Sequence, residues 1–223
     1  MDLSNGVFGM QVAFFFEEGS DFSILDFAGE IKELYKAMFP DDPQILPLPA
    51  DAPPEVPQCI FQKKDGSARL SFSQIRIDFN AGLKTGIGWK NNYETIIYTF
   101  VQICKKFNVS VRRIGLVIQT SADTQFETEV NNLVNYSSFK QSEEKSIFWV
   151  DKTMLNGNVQ INIVNNIQIN HNNLDKKSIV TLDVNTSNES SLSCTHNELL
   201  KIGSRLLSEL EERLENVLRA FER

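Results

Sequence analysis

A chain of 223 residues with 41% hydrophobic and 23% charged residues has an ordinary globular composition, and it is long enough to bury roughly 70% of its unfolded surface. Its net charge of −7 disfavours a general phosphate-backbone binder, which normally presents a basic face. Cys59, Cys104 and Cys194 are too few and too scattered for a disulfide framework or a zinc site, so we expect free thiols in a reducing, cytoplasmic compartment. No stretch approaches the about 20 apolar residues of a membrane span, so no membrane association is expected.

The first elements along the chain are a strand and a helix. Apolar residues alternate from Phe8 onward, which indicates a half-buried strand. Ser23, followed three residues later by Asp26, predicts a helix start, and the helical spacing runs to Phe39. The segment 40–57 then holds all seven prolines of the chain. It is predicted to be a stiff, extended crossover rather than a polyproline ligand, because no basic anchor accompanies it.

Three more strands and a second helix complete the first half. Two strand-like runs flank Asp65-Gly66, a dipeptide that supplies the positive φ angles of a tight hairpin. A third strand follows, and then a glycine-rich bend at 81–88, whose spacing does not fit a phosphate-binding loop. The helix after the bend is expected to be capped by Asn91 or Asn92.

The second half repeats this order of elements. A strand is predicted over residues 111–120, and a polar connector follows it. Asn156-Gly157 is a strong hairpin signal, and another strand is predicted over residues 178–185.

A long helix is predicted at the end of the chain. Thr195 and Glu198 form a capping box at its start, and Leu206 and Leu210 are expected in the core. Gly203 costs about 1 kcal/mol relative to alanine in mid-helix, which suggests close approach of another backbone, expected to be a sheet strand. The far end of the apolar stripe is the candidate interface with a partner or a second copy: Leu214, Val217, Leu218 and Phe221.

An amide-rich stretch precedes that helix. Residues 156–173 hold ten Asn and Gln in eighteen positions, but β-branched residues alternate with the amides. This pattern predicts a strand with one buried face rather than a low-complexity tract, with a bulge or bend at Asn165-Asn166. The amide side is expected to be solvated. Because amides can read base edges and sugar hydroxyls, its candidate polar binding face is Asn158, Gln160 and Asn162.

Together these elements predict an α+β fold. We expect a single domain over 1–223, with one antiparallel sheet, or two joined, carrying two long helices on one face. The repeated order of strand, helix, three strands and helix suggests structural halves at 1–110 and 111–223, without a repeat at the level of individual residues.

The chain lacks a convincing catalytic constellation. The two histidines are His171, in an Asn-rich turn, and His196, at the start of the last helix. Cys194 lies near His196, but no acid is evident to orient the ring. The carboxylates are scattered and no metal-ligand spacing appears. The sequence therefore predicts no enzyme activity, no cofactor and no metal.

Several short motifs resemble those of a known family. They are Phe39-Pro40, A-P-P-E-V-P at 52–57, L-S-F-S at 70–73, R-R-I-G-L at 112–116 and Thr195-His196. With these motifs, spread over nearly the whole chain, the protein resembles a sporadically distributed, uncharacterised bacterial family. The resemblance implies no established activity and no catalytic residues. A patchy distribution would suit an accessory role such as a defence or toxin–antitoxin-like module.

Three functions follow as hypotheses. The first is a non-catalytic cytosolic protein that binds another protein or a second copy of itself, because catalytic groups are missing and the last helix is strongly amphipathic. The alternative is a saddle-like sheet that binds nucleic acid. It would draw on four basic doublets at 63–64, 105–106, 112–113 and 176–177, with Arg69 and Arg76, although the acidic pI disfavours it. A third is a small apolar ligand pocket between the sheet and the last helix.

Overall fold

Nine strands form one antiparallel sheet in the computed structural model of the chain. The structure describes residues 7–49, 51–83, 88–122, 144–155, 159–170, 178–187, 192 and 195–220. The strands are β1 (Val7–Phe16), β2 (Gln44–Ile45), β3 (Cys59–Gln62), β4 (Ala68–Phe72), β5 (Arg76–Gly82), β6 (Val111–Ala122), β7 (Glu144–Leu155), β8 (Val159–Asn170) and β9 (Ser178–Thr186). The helices within these ranges are α1 (Ile24–Leu34), α2 (Trp89–Lys106) and α3 (His196–Ala220).

The strand order is symmetric about the central pair of strands. It runs β2-β3-β4-β5-β1-β6-β9-β8-β7, so β1 and β6 lie side by side in the middle. Outward from β1 the strands are β5, β4 and β3, with β2 at the edge, and outward from β6 they are β9, β8 and β7. On both sides, the three strands therefore follow in the reverse of their order along the chain. The order agrees with the repeated arrangement expected from the sequence, and the sheet is continuous across both halves.

The three helices lie on one face of the sheet. α2 packs on β1, α3 packs on β6 and β9, and the two long helices pack on each other. α1 contacts α2 and buries Phe27 and Ile31. The α+β prediction is therefore confirmed, including its long C-terminal helix. No helix among the described residues is long and apolar enough to cross a membrane.

Phenylalanine fills much of the core between the sheet and the helices. Of the sixteen phenylalanines in the chain, nine are among the buried core side chains: Phe14, Phe16, Phe22, Phe27, Phe39, Phe61, Phe72, Phe79 and Phe100. Cys59 and Cys104 are free and buried, and burial raises the pKa of each thiol to about 12. The expectation of free thiols is confirmed for these two, whereas Cys194 lies outside the described residues.

Most of the local signals are confirmed. Ser23 caps α1, accepting a hydrogen bond from the backbone N–H of Asp26, and Gly66 has the positive φ of a hairpin turn at +71°. At the start of α3, the backbone N–H of Thr195 donates to the Glu198 carboxylate at 2.6 Å, as a capping box requires. The cap expected at Asn91 or Asn92 was wrong, because α2 begins earlier, after Gly88, which supplies no side-chain cap.

The bulge expected at Asn165-Asn166 is also absent. β8 pairs with β7 and with β9 without a register shift through both residues. Ile161, Ile163 and Asn165 are all buried while the residues between them are less so, so the alternation keeps its phase with Asn165 as one inward member. That side chain is 1% exposed, and its Nδ2 donates to the carbonyl of Ile163 at 3.4 Å.

Gly203 meets a helix rather than a strand. A Cβ at this position would lie 2.6 Å from Cγ2 of Ile97 on α2. A close contact is therefore present, but the expected neighbour was wrong, because a side chain of α2 approaches Gly203 and not the backbone of a sheet strand. The glycine lets α3 pack tightly against α2, because the branched carbon of Ile97 occupies the space that a side chain would need.

We expect Gly203→Ala to destabilise the protein despite the better helix propensity of alanine. Overpacking costs about 1–3 kcal/mol, and the propensity gain of about 1 kcal/mol offsets only part of it. Ile97→Leu removes the Cγ2 methyl while conserving volume, so the double variant should recover stability relative to the sum of the single variants. Urea denaturation of all four proteins measures this coupling. Gly203→Ala that is as stable as the wild type would show that α2 and α3 are not held at this distance.

Candidate functional site

The face of the sheet opposite the helices, here called the open face, carries an unusual set of side chains. Paired residues share a face, so the register defines its members. Among side chains that the structure describes, its charged residues are Arg69, Arg76, Arg113, Lys152, Asp78 and Asp183. Four cations against two carboxylates make this face positive by two charges, whereas the whole chain carries −7. Positive charge is therefore concentrated on the side that no described helix covers.

Two arginines pack against one phenylalanine at one end of this face. Phe15 on β1 is paired with Arg76 on β5 and with Arg113 on β6. The guanidinium carbons lie 4.6 Å and 4.8 Å from the centre of the Phe15 ring, within cation–π distance. We call Phe15, Arg76 and Arg113 the arginine clamp. The ring holds both guanidinium groups in place, and the Nε atoms of both arginines have no hydrogen-bond partner.

Carboxylates adjoin the clamp. The Arg76 guanidinium donates to Asp78 at 2.6 Å, and Nε2 of Gln11 donates to the same carboxylate at 2.9 Å. Burial raises the pKa of Asp183, although a hydrogen bond from Asn185 and the charge of Arg113 oppose that shift. Burial likewise lowers the pKa of the Arg113 guanidinium. Asp78 holds Arg76 in position, and the charge of Asp183 opposes the effect of burial on Arg113.

A depression of about 380 Å³ lies on the open face at the other end of β1. Its floor is formed by Gly9 and Gly82, which are paired across β1 and β5. We call it the glycine-floored depression. Its lining includes one aromatic residue, one arginine and three amide residues, which are Phe8, Arg69, Gln11, Asn80 and Gln119. Ser67 and the aliphatic residues Met10, Ala81 and Val117 complete the lining together with Gly66. Gly9 to Phe15 spans six residues of strand, or roughly 20 Å, so the depression and the arginine clamp lie along one strand.

The edge strand β7 adds exposed apolar side chains to the same face. Phe148 is 64% exposed and Met154 is 55% exposed, and Val150 lies between them in the alternation. Lys152 is the charged member of this row. Flat apolar surface beside a cation is typical of a binding surface rather than of a solvated edge.

The candidate interface on the last helix is largely outside what the structure describes. Leu214 is buried with 1% exposure, so it is unavailable to a partner while the chain is folded. The side chains of Val217 and Leu218, and Phe221 as a whole, lie outside the described part, and an interface there stays a prediction. The core positions expected for Leu206 and Leu210 are confirmed, since both are fully buried.

The candidate polar binding face lies on the outer half of the open face. Gln160 and Asn162 are on β8 and share this side with the charged residues, and Asn158 falls outside the described residues. Nδ2 of Asn162 donates to Oδ1 of Asn185 at 3.3 Å, while its Oδ1 has no partner. Binding by these amides stays a prediction.

The basic doublets are only partly brought together. Arg113 joins Arg69 and Arg76 on the open face, as the alternative hypothesis required. Arg112 lies at a register shift between β1 and β6, 3.8 Å from Glu18, and Lys106 pairs with Glu30 on the helix side. The doublet at 176–177 lies outside the described residues.

The possible catalytic groups are not gathered in the part that is described. His196 lies in the first turn of α3, while His171 and Cys194 are not described. No cluster of three or more His, Cys, Asp or Glu that could hold a metal occurs among the described residues. A cavity of about 220 Å³ does exist on the helix side, but α2 and the turn after α1 line it rather than α3.

Sequence reasoning missed Phe15, the centre of the arginine clamp. Alternation over Phe14, Phe15 and Phe16 puts the middle ring on the side away from the core. A phenylalanine on the solvent side of an amphipathic strand could have indicated this site. It was overlooked because the residues before and after it are core phenylalanines.

Comparison with known proteins finds a likeness among solved structures. No protein-family model matches the chain, and no curated protein matches it. The fold is similar to the structure of a rolling circle replication initiator protein from Geobacillus stearothermophilus, with a TM-score of 0.39 and 12% identity over 96% of this chain and 83% of that chain. A likeness at this TM-score carries no argument about function on its own.

The first functional hypothesis, a non-catalytic protein that binds another protein, is corrected. The apolar stripe that suggested a partner is used internally, because Leu199, Leu206 and Leu210 are buried against the chain's own sheet and helices. The resemblance to an uncharacterised bacterial family is not tested by these comparisons.

Proposed function

We propose that this protein binds single-stranded nucleic acid on the open face of its sheet. The observation that carries the proposal is the arginine clamp, in which two guanidinium groups lie over the Phe15 ring on a face that no described helix covers. A guanidinium plane stacks on a base and also binds phosphate, so one group serves both parts of a nucleotide. The cytoplasmic location expected from the free thiols belongs to the same proposal.

A single strand fits this face better than a duplex does. Duplex readout uses a helix or a two-stranded ribbon inserted into a groove, and a broad nine-stranded sheet cannot enter one. Single strands instead lie on surfaces that combine cations with exposed rings, because every base has a face that can stack. Phe148 supplies such a ring on β7, four strands from β1 and therefore roughly 19 Å across the sheet from it.

The acidic pI does not oppose this proposal once the charges are placed. An acidic pI disfavours nucleic-acid binding when the protein has no basic face. Here the described side chains of the open face carry a net positive charge, and the excess of acidic residues lies elsewhere in the chain. The expected mode is local contact by a few arginines with modest salt dependence. That the protein has no chemistry of its own stays a prediction.

The test is fluorescence anisotropy with labelled single-stranded DNA, single-stranded RNA and duplex DNA over a range of salt concentrations. Arg76→Gln and Arg113→Gln keep an aliphatic stem that ends in a hydrogen-bonding group while removing the charge. Each is expected to weaken single-strand binding by about 1–3 kcal/mol. Each should also reduce the slope of log affinity against log salt by about 0.7, the value for one phosphate contact on a single strand.

The matched control is Arg205→Gln, which removes the same charge from the exposed surface of α3 on the other side of the sheet. It should leave affinity and salt slope unchanged. Circular dichroism of each variant checks folding, and Phe15→Leu provides a charge-neutral disruption of the clamp. Tighter binding of the duplex, or equal loss of binding in all three arginine variants, would contradict the proposal.

A further inference from the structure

The glycine-floored depression has the chemistry to recognise a single nucleobase. Its volume of about 380 Å³ lies within the range of small-ligand sites, which begin near 300 Å³. It is lined by one guanidinium, three side-chain amides and one ring, and it includes no carboxylate in its lining. This combination offers a stacking surface together with several hydrogen-bonding groups that face a common space.

Two glycines make the space available. Gly9 and Gly82 are paired side by side and both line the depression, so neither position contributes a side chain to it. Oε1 of Gln119 lies 2.8 Å from the position that a Cβ on Gly9 would occupy, which means that the Gln119 side chain lies over this glycine. A Cβ on Gly82 would find its nearest neighbours at 3.8 and 3.9 Å, so that position is open.

The donor set favours a purine. Arginine pairs in a bidentate manner with O6 and N7 of guanine, and asparagine or glutamine pairs in the same manner with N6 and N7 of adenine. Arg69, Asn80 and Gln119 supply both kinds of group. Gln11 is already engaged, because its Nε2 donates to Asp78, which also holds Arg76 of the arginine clamp. One carboxylate therefore connects the two ends of the open face.

We infer that the glycine-floored depression binds one purine base of a single strand whose backbone contacts the arginine clamp. That the base belongs to a nucleic-acid strand rests on the proposed function. The groups in the depression would recognise a purine in the same way whether it came from a strand or from a free nucleotide. The ring of Phe8 provides the stacking surface, and Arg69, Asn80 and Gln119 contact the purine edge. Sequence preference would thus arise at one position of an otherwise sequence-tolerant surface.

The experiment compares oligonucleotides that differ at one base. A labelled oligo-dT and the same strand with a single central adenine or guanine are titrated onto the full chain, and adenosine and guanosine monophosphates are titrated separately by NMR. One good bidentate contact should make the purine-containing strand bind roughly 5- to 150-fold more tightly than oligo-dT. Asn80→Ala and Gln119→Ala should remove this preference and leave oligo-dT binding unchanged.

Two matched controls separate the depression from the rest of the fold. Gly82→Ala places a methyl group in the depression, with no neighbour closer than 3.8 Å, and should abolish the purine preference. Gly29→Ala, where a Cβ meets nothing within 4 Å, should not. Gln168→Ala removes an exposed amide from β8 on the same face and should also have no effect.

The outcomes distinguish this inference from the proposed function. If oligo-dT binds through the arginine clamp but a purine adds nothing, or if Asn80→Ala and Gln119→Ala keep the preference, the inference is wrong and the function stands. If the monophosphates bind and Gly82→Ala blocks them while no strand binds, the depression is a purine nucleotide site and the proposed function is wrong. Absence of both kinds of binding would overturn both.

Discussion

Phe27→Ala is expected to lower the free energy of unfolding by about 3–5 kcal/mol, which corresponds to a fall in Tm of roughly 6–20 °C for a chain of this size. Phe27 on α1 is fully buried and contacts four other rings. The ring centroids of Phe22, Phe72 and Phe107 lie 4.7, 4.8 and 5.0 Å away, and that of Phe16 lies 6.3 Å away. Removing the central ring therefore leaves a cavity that none of its neighbours can fill without losing its own contacts.

Chemical denaturation monitored by circular dichroism measures this loss, and two further variants define it. Phe27→Leu keeps most of the volume and should cost clearly less than alanine. Leu25→Ala, two residues earlier on the same helix, removes a side chain that is 67% exposed and should be nearly neutral. A loss below about 1 kcal/mol for Phe27→Ala would mean that α1 is not docked on the sheet as described.

Leu206→Ala is expected to cost about 2–5 kcal/mol. Leu206 is fully buried on α3, and α3 packs on β6, β9 and α2. Because three elements surround this helix, collapse around an alanine would require them to move. Gly203, one turn earlier, already brings α2 and α3 close together, which leaves little freedom for such an adjustment.

The same denaturation experiment tests this residue, with Arg205→Ala as the adjacent exposed control on α3. The control should stay within about 0.5 kcal/mol of the wild type. If Leu206→Ala instead left stability unchanged while altering the association state of the protein, the stripe would face a partner and not the core.

Local chemistry explains which parts of the fold could be predicted. The capping box at Thr195 and the turn at Gly66 depend on hydrogen bonds and backbone angles within a few residues, so the sequence contains all of the information. Strands such as β1, β5 and β9 were recognised because one face of each is buried. β2 was not predicted, since both of its residues are exposed. The neighbour of Gly203 was predicted wrongly, because a missing side chain indicates close approach but not which element approaches.

The candidate site was less predictable, since its members come together only through strand order. Phe15, Arg76 and Arg113 are far apart in the chain and meet because β1 lies between β5 and β6. Arg69 and Arg76 were expected to join the basic group if the sheet formed, and they do. The glycine-floored depression was not predicted from the sequence. Gly9 and Gly82 are far apart in the chain and lie side by side only because β1 pairs with β5.

The central position of β1 also has a consequence for the order in which the chain folds during synthesis. β1 is synthesised before β5, with which it pairs along one edge. The other edge of β1 pairs with β6, which begins only at Val111. Until the ribosome has released that strand, a folded first half presents an unpaired edge of ten residues. Such an edge is a template for pairing with another nascent chain. Slow translation between residues 83 and 122 is therefore expected to increase aggregation, and a chain ending at residue 110 should be far less soluble than the whole protein.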